Sequence, residues 1–164
     1  MLKLGIDIDG VCCDSIGYLE RKVNRELGHS LSDKSPLIRK FLSIPDPNYI
    51  KLPWIPNAFE ALSELSQFCD IEFITARCES QREYTEQWLS ALPFEIKLTM
   101  TSYASKLKEA YMKDIFIDDR LDYLLELKDY CCCIWFTPDI IQGLPAGVYL
   151  IHNWTEILDL IKSL

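Results

Sequence analysis

The feature that most restricts the fold of this chain is the regular alternation of short apolar runs with stretches of helical spacing. Residues 2–8 form a short apolar strand, and within 14–27 Ile16, Leu19, Val23 and Leu27 recur at the spacing of one helix face. The alternation resumes after Asn57, with helix over 58–68, strand 71–75, helix 80–92, strand 95–100 and helix 103–112. Strand 115–117, helix 121–130, strands 131–136 and 148–151, and helix 155–161 follow. Strands linked through helices run parallel, and a parallel sheet needs helices on both faces. The pattern predicts an α/β domain built on a doubly wound parallel sheet.

Residues 28–57 break this rhythm. Five of the eight prolines (Pro36, Pro45, Pro47, Pro53 and Pro56) fall here beside Gly28, Ser30, Ser32, Asp33 and Ser35, and only 37–42 has the look of a short helix. The expected organisation is therefore a core of residues 1–14 and 58–164, with a small, mostly helical insertion at 15–57 after the first strand.

Ligands of open α/β sheets bind beyond the carboxyl ends of the strands, so the residues at those ends carry the chemical information. The first strand runs into Asp7-Ile8-Asp9-Gly10, the second into Thr75-Ala76-Arg77, and strand 115–117 into Asp118-Asp119-Arg120. Four carboxylates and a hydroxyl are thus expected on one edge. Four acids so close do not all ionise unaided; either some stay protonated or a hard dication sits among them. Oxygen donors without histidine or cysteine suit Mg²⁺ better than zinc. A carboxylate left free beside such an ion can attack phosphorus, a hydroxyl such as Thr75 and a lysine can hold the phosphoryl oxygens, and amides near Gly10 can approach closely.

Composition narrows the partners. The 164 residues carry 17 Lys+Arg against 25 Asp+Glu, a net charge of −8 without the basic footprint that nucleic acid or anionic lipid requires. Neither an apolar run of membrane-spanning length nor a signal-peptide pattern is present, so a cytoplasmic protein is expected. The seven cysteines fall as Cys12-Cys13, Cys69, Cys78 and Cys131-Cys132-Cys133, an odd count without Cys-x-x-Cys, and read as small core hydrophobes. A homodimer is compatible with the sequence but not argued by it.

In these residues and their order the sequence resembles the phosphatases of the haloacid dehalogenase (HAD) superfamily over essentially its whole length. Asp7-Ile8-Asp9-Gly10-Val11 matches the Asp-x-Asp-Gly-Val motif, Thr75 the strand-ending threonine, Ser105-Lys106-Leu107-Lys108 the lysine, and Asp118-Asp119 the acidic pair. The resemblance implies a HAD-like core with a cap after the first strand. It implies Asp7 as nucleophile and Asp9 as the acid and then base that also turns its backbone carbonyl to Mg²⁺. Asp118 and Asp119 complete the metal site, their individual shares not separated. Thr75 and a lysine would hold phosphate; Lys106 opens its helix and is preferred over Lys108, while Lys113 immediately precedes the strand and is less suited to the site. Apart from the resemblance, an arginine fork matches two phosphate oxygens, which makes Arg77 a further candidate to hold phosphate.

The length of the insertion, Asp14 beyond the first motif, Pro56-Asn57-Ala58-Phe59 and Asn153-Trp154-Thr155-Glu156-Ile157 resemble the C-type 5′-nucleotidase (deoxyribonucleotidase) branch. This implies a small phosphomonoester substrate, a nucleoside or deoxynucleoside 5′-monophosphate first. Two alternatives stand beside it: a nucleic-acid end-processing phosphatase and a catalytically silent phosphate-binding module. Phe41, Tyr49 and Trp54 either stack on a base or pin the insertion to the core, the second being the commoner use of such rings. Arg120 is expected to pair with Asp122 or Asp119, Asp14 to cap the following helix or buttress the metal site, and Trp154 to lie in the core.

Overall fold

The computed structural model describes residues 1–27, 44–102, 105–141 and 143–164. The helix expected at 37–42, and Phe41 with it, lie outside the described residues.

Six strands form one sheet: β1 (Leu2–Ile6), β2 (Cys69–Thr75), β3 (Leu98–Met100), β4 (Ile115–Asp118), β5 (Cys132–Phe136) and β6 (Val148–Ile151). All pairings are parallel and the spatial order is β3-β2-β1-β4-β5-β6, the doubly wound arrangement expected. The order reverses at β1, which lies between β2 and β4. A crevice opens at such a switch point, beyond the carboxyl ends. Register brings the chemistry together: Ile6 stands opposite both Phe73 and Ile117, so Asp7, Thr75 and Asp118 emerge at one edge.

The helices are α1 (Ser15–Leu27), α2 (Ala58–Leu65), α3 (Arg82–Leu89), α4 (Lys106–Ala110), α5 (Leu121–Leu127) and α6 (Trp154–Ser163). Alternation along the strands distributes apolar side chains to two cores. Leu4, Ile6, Phe73, Ile115, Ile117 and Ile134 pack with Leu62 and Leu65 of α2 and Ile157 and Ile161 of α6. On the opposite face Ile74, Phe116 and Cys133 meet Ala110, Leu124 and Leu127. Each fully buried Leu, Ile or Phe contributes about 1.5–3 kcal/mol.

Several element ends differ from expectation for local reasons. Strand β1 stops at Ile6 instead of residue 8 because the chain turns at Gly10, whose φ of 81° lies in the left-handed region. Helix 80–92 divides into a 3-10 turn, Glu79–Gln81, and α3, and its end tightens through Leu92 N–H donating to Leu89 O. Edge strand β3 covers only Leu98–Met100, and Asp14 caps α1 by accepting from Gly17 N–H at 2.9 Å.

Residues 44–57 lie against the core. A 3-10 turn at Pro47–Lys51 is capped by Asp46, Trp88 Nε1 donates to Leu52 O at 2.9 Å, and Trp54 stacks on Trp88 with ring centroids 3.8 Å apart. The rings of Tyr49 and Trp54 thus pin this segment. All seven cysteines are free, with Cys133 buried and Cys132 half-buried in β5. Among the described residues no helix is long and apolar enough to cross a membrane.

Candidate active site

The loop leaving β1 is held from several sides. Asp7 N–H donates to Ile117 O at 2.9 Å, extending the β1–β4 pairing by one residue, while Cys12 and Cys13 N–H both return to Ile8 O. Gly10 N–H donates to Cys13 O, Ile55 N–H to Cys12 O, and the indole of Trp154 to Val11 O at 2.7 Å. Gly10 is required twice over. Its φ favours glycine, and a Cβ there would fall 2.3 Å from Asp119 Oδ2, so any side chain would displace that carboxylate.

Asp7 and Asp118, buried at the ends of adjacent strands, share one cation: Lys106 Nζ lies 2.8 Å from Asp7 Oδ1 and 2.7 Å from Asp118 Oδ2. Lys106 itself is 2% exposed, with its ammonium over the rings of Tyr123 and Phe116 at 5.2 and 5.9 Å. Lys108 is exposed and Lys113 pairs with Glu72, so of the three lysines weighed only Lys106 enters the site. Arg120 N–H donates to the other oxygen of Asp118 at 2.8 Å, and its guanidinium pairs with Asp122 as expected.

Oxygens of Asp7, Asp118 and Asp119 lie within 4.8 Å of one another. Burial pushes the carboxyl of Asp7 up to about 7 despite the charge of Lys106, and the charges of Asp118 and Asp9 push the same way. Burial, then the charges of Asp7 and Asp118, raise Asp119 to about 9. Burial also opposes the charge on Lys106, but its two carboxylates outweigh it and hold the ammonium firmly protonated.

Asp9 behaves in the opposite way. Arg77 grips it with two donors, Nε at 2.9 Å and a terminal nitrogen at 2.7 Å. Burial alone would raise Asp9, yet the charge and hydrogen bonds of Arg77 outweigh burial and lower it below the ordinary aspartate value. Arg77 is buried among Thr85 Oγ1 at 3.1 Å, Cys13 Sγ at 3.4 Å and the ring of Tyr49, 5.2 Å from its Cζ. Thr75, fully buried, accepts from the backbone N–H of Arg77 at 3.2 Å. All the residues singled out at the strand ends therefore converge, but the carboxylate of Asp9 lies outside the three-acid group, and Arg77 is engaged with Asp9.

The site also holds residues that sequence reasoning assigned elsewhere. Cys13 was expected only as core filling and Tyr49 only as a pin or stacking ring, yet both contact Arg77. Thr85 was not singled out, and Trp135 fixes the Asp119 carbonyl by a 3.0 Å hydrogen bond from its indole. Their sequence neighbourhoods carry no distinguishing pattern.

The acidic group fits a hard divalent cation. Three carboxylates supply only oxygen donors, and the protonated ammonium of Lys106 already bridges two of them as a cation would. Four acids against Lys106 and Arg77 leave two negative charges uncompensated, and proton uptake by Asp7 and Asp119 is the metal-free answer. Magnesium is the ion such a set favours.

Neither a family model nor a curated protein matches the chain. Solved structures do. A haloacid dehalogenase-like family hydrolase from Streptococcus pneumoniae is similar at 17% identity and TM-score 0.64, covering 98% of both chains. A HAD-hydrolase, YfnB from Bacillus subtilis, in a magnesium-bound form, matches at 12% identity, TM-score 0.64 and 98% of both chains. A Thermotoga maritima protein described as a β-phosphoglucomutase matches at 17% identity and TM-score 0.62 over the whole of both chains. At such identities the likeness is one of fold, and the fold is that of the HAD-superfamily hydrolases.

Proposed function

We propose that this protein is a Mg²⁺-dependent phosphomonoester hydrolase working through an aspartyl-phosphate on Asp7. The observation that carries the reading is the convergence of Asp7, Asp118 and Asp119 around a buried ammonium at the sheet's switch point, with Asp9 alongside. The HAD-like fold of the neighbours supports it.

Asp7 Oδ attacks phosphorus, the P–O ester bond breaks, and the leaving oxygen takes a proton from Asp9. Asp9 then accepts a proton from water as the water oxygen attacks phosphorus, which frees Asp7 and releases phosphate. Asp7, Asp118 and Asp119 would hold Mg²⁺, which would supply Lewis-acid polarisation of the phosphoryl group. Lys106 offsets the charge on Asp7 and on the phosphoryl oxygens. Gripped by Arg77, Asp9 is ionised and suited to the base half of the cycle. For the acid half the guanidinium must leave Asp9, and a phosphoryl group is a two-oxygen acceptor able to take that fork.

The substrate is a small phosphorylated metabolite, with nucleoside or deoxynucleoside 5′-monophosphates first on the strength of the sequence resemblance. The net charge of −8 disfavours nucleic acid as substrate. Phosphate release should be measured across nucleoside and deoxynucleoside monophosphates, sugar phosphates and 3′-phosphorylated oligonucleotides, with Mg²⁺ or chelator and with Asp7→Asn. Release that requires both metal and Asp7 supports the reading. Binding of an ester without turnover by the wild type would replace it with a silent phosphate-binding module.

A further inference from the structure

A second cluster of charge lies away from the strand-end acids. Tyr18, Lys22 and Arg25 of α1, with Asn48 and Lys51 of the 3-10 turn, line a cavity of about 370 Å³. That volume falls in the range of small-molecule sites, about 300–1,000 Å³.

The lining is unusual for this chain. Residues 15–57 carry seven Lys or Arg against four Asp or Glu, whereas the remainder carries ten against twenty-one. Among the described residues of this segment, three cations, Lys22, Arg25 and Lys51, face one concavity.

One carboxylate serves the cavity's framework, and it is saturated. Asp46 accepts from Lys22 Nζ at 2.6 Å, from the backbone N–H and side-chain amide of Asn48 at 2.9 Å each, and from the Tyr18 hydroxyl at 3.3 Å. Those bonds fix Tyr18, Lys22 and Asn48 in place before any ligand arrives. Neither Arg25 nor Lys51 has an ion-pair partner among the described residues. Among the described residues, two cations on different elements thus face the cavity without an ion-pair partner, beside a framework already fixed by Asp46, an arrangement that suits a multiply charged oxyanion.

The cavity is separated from the catalytic carboxylates by aromatic rings. Tyr18 meets Tyr49 edge-on with centroids 6.3 Å apart, and beyond Tyr49 stands Arg77 with Asp9. None of Asp7, Asp9, Lys106, Asp118 or Asp119 lines it.

We propose that this cavity is an anion-binding site for a small phosphate-class oxyanion, of pyrophosphate size and charge, distinct from the acidic group at the strand ends. The proposal does not rest on the phosphatase reading, and its test needs no turnover. Pyrophosphate is titrated into the full chain by isothermal calorimetry in the presence of chelator, at moderate salt. Four proteins are compared: wild type, Asp7→Asn, Arg25→Ala/Lys51→Ala, and Lys3→Ala/Lys128→Ala, which removes the same charge elsewhere. Circular dichroism confirms that each is folded. Saturable binding at one equivalent, unchanged in Asp7→Asn, weakened at least tenfold in Arg25→Ala/Lys51→Ala and less than twofold in the charge-matched control, is expected. Arg25→Lys/Lys51→Arg, which keeps both charges, should recover most of the affinity.

Three results would overturn the site: no saturable binding, equal loss in both double variants, or loss in Asp7→Asn matching that in Arg25→Ala/Lys51→Ala. The second would mean only general charge attraction, and the third a single anion site at the catalytic edge. Failure of turnover alone leaves this result untouched.

Discussion

Two buried cation–carboxylate arrangements stand side by side in this molecule and shift Asp7 and Asp9 in opposite directions. Lys106 is shared between Asp7 and Asp118, and Asp7 remains raised to about 7; Arg77 is devoted to Asp9 with two donors, and Asp9 is lowered. Burial works against ionisation in both. What differs is the number of positive charges and donors per acid. A shared, single-point ammonium leaves a carboxylate group short of charge and open to a further cation, whereas a dedicated fork closes its acid off until something better suited to a fork arrives.

The largest effect should come from removing the proposed nucleophile. Asp7→Asn is expected to lower phosphate release by at least about a thousandfold, with circular dichroism unchanged; a variant retaining a tenth of the activity would place the covalent step elsewhere. Next is the dedicated pair. Arg77→Ala strands Asp9 in a largely buried position and should cost about 3 kcal/mol in urea unfolding, while Arg77→Ala/Asp9→Asn should recover a good part of it. Equal losses in the single and double variants would mean that packing on Tyr49, not charge, is what Arg77 contributes.

Asp119→Asn tests the shared side. Asp119 is already largely neutral at pH 7 without metal, so the variant should barely alter metal-free stability yet weaken Mg²⁺ binding about 10–100-fold in a calorimetric titration. A large loss of metal-free stability would show that Asp119 is held ionised.

The smallest and most gradual effect is on pH. Asp7 and Asp119 titrate at about 7 and about 9 in the fold against an ordinary value of 3.8, so between these limits the metal-free folded protein binds more protons than the unfolded chain. Its stability should therefore fall as pH rises from about 5 to 9. Asp9 contributes in the other sense, present above its ordinary value and lost only as pH falls below it. Mg²⁺ held by these carboxylates would have to displace the protons on Asp7 and Asp119, so the rise in Tm on adding it should be larger at pH 8 than at pH 5.5, and its affinity should increase by up to about tenfold per pH unit for each proton released. A Tm gain independent of pH would contradict the raised carboxyls.

The shared arrangement was far more legible in the sequence than the dedicated one. Asp7 and Asp118 sit at strand ends, which a parallel sheet brings together whatever else the chain does, and Lys106 was singled out by the resembled lysine motif at the start of its helix. Arg77 was legible as a residue of the edge but not as the holder of Asp9, since that contact spans 68 positions and depends on Thr85, Cys13 and Tyr49 arriving around the guanidinium. Cys13 and Tyr49 look like ordinary apolar residues in sequence because their role is set by what packs on them. Element limits were misread where a turn or 3-10 segment interrupts a uniform pattern, as for strand β1 at Gly10 and for helix 80–92 at Glu79–Gln81.

The hydrogen bond from the Trp154 indole to Val11 O crosses 143 positions to brace the loop that carries Asp7 and Asp9. During synthesis that loop emerges well ahead of its brace, which is made only after residue 154 has been added. The sheet can begin to assemble on β1, β2 and β4 while the loop is still unbraced. The brace therefore comes after the loop it holds, and a lesion near α6 reaches the carboxylates proposed to react without touching them.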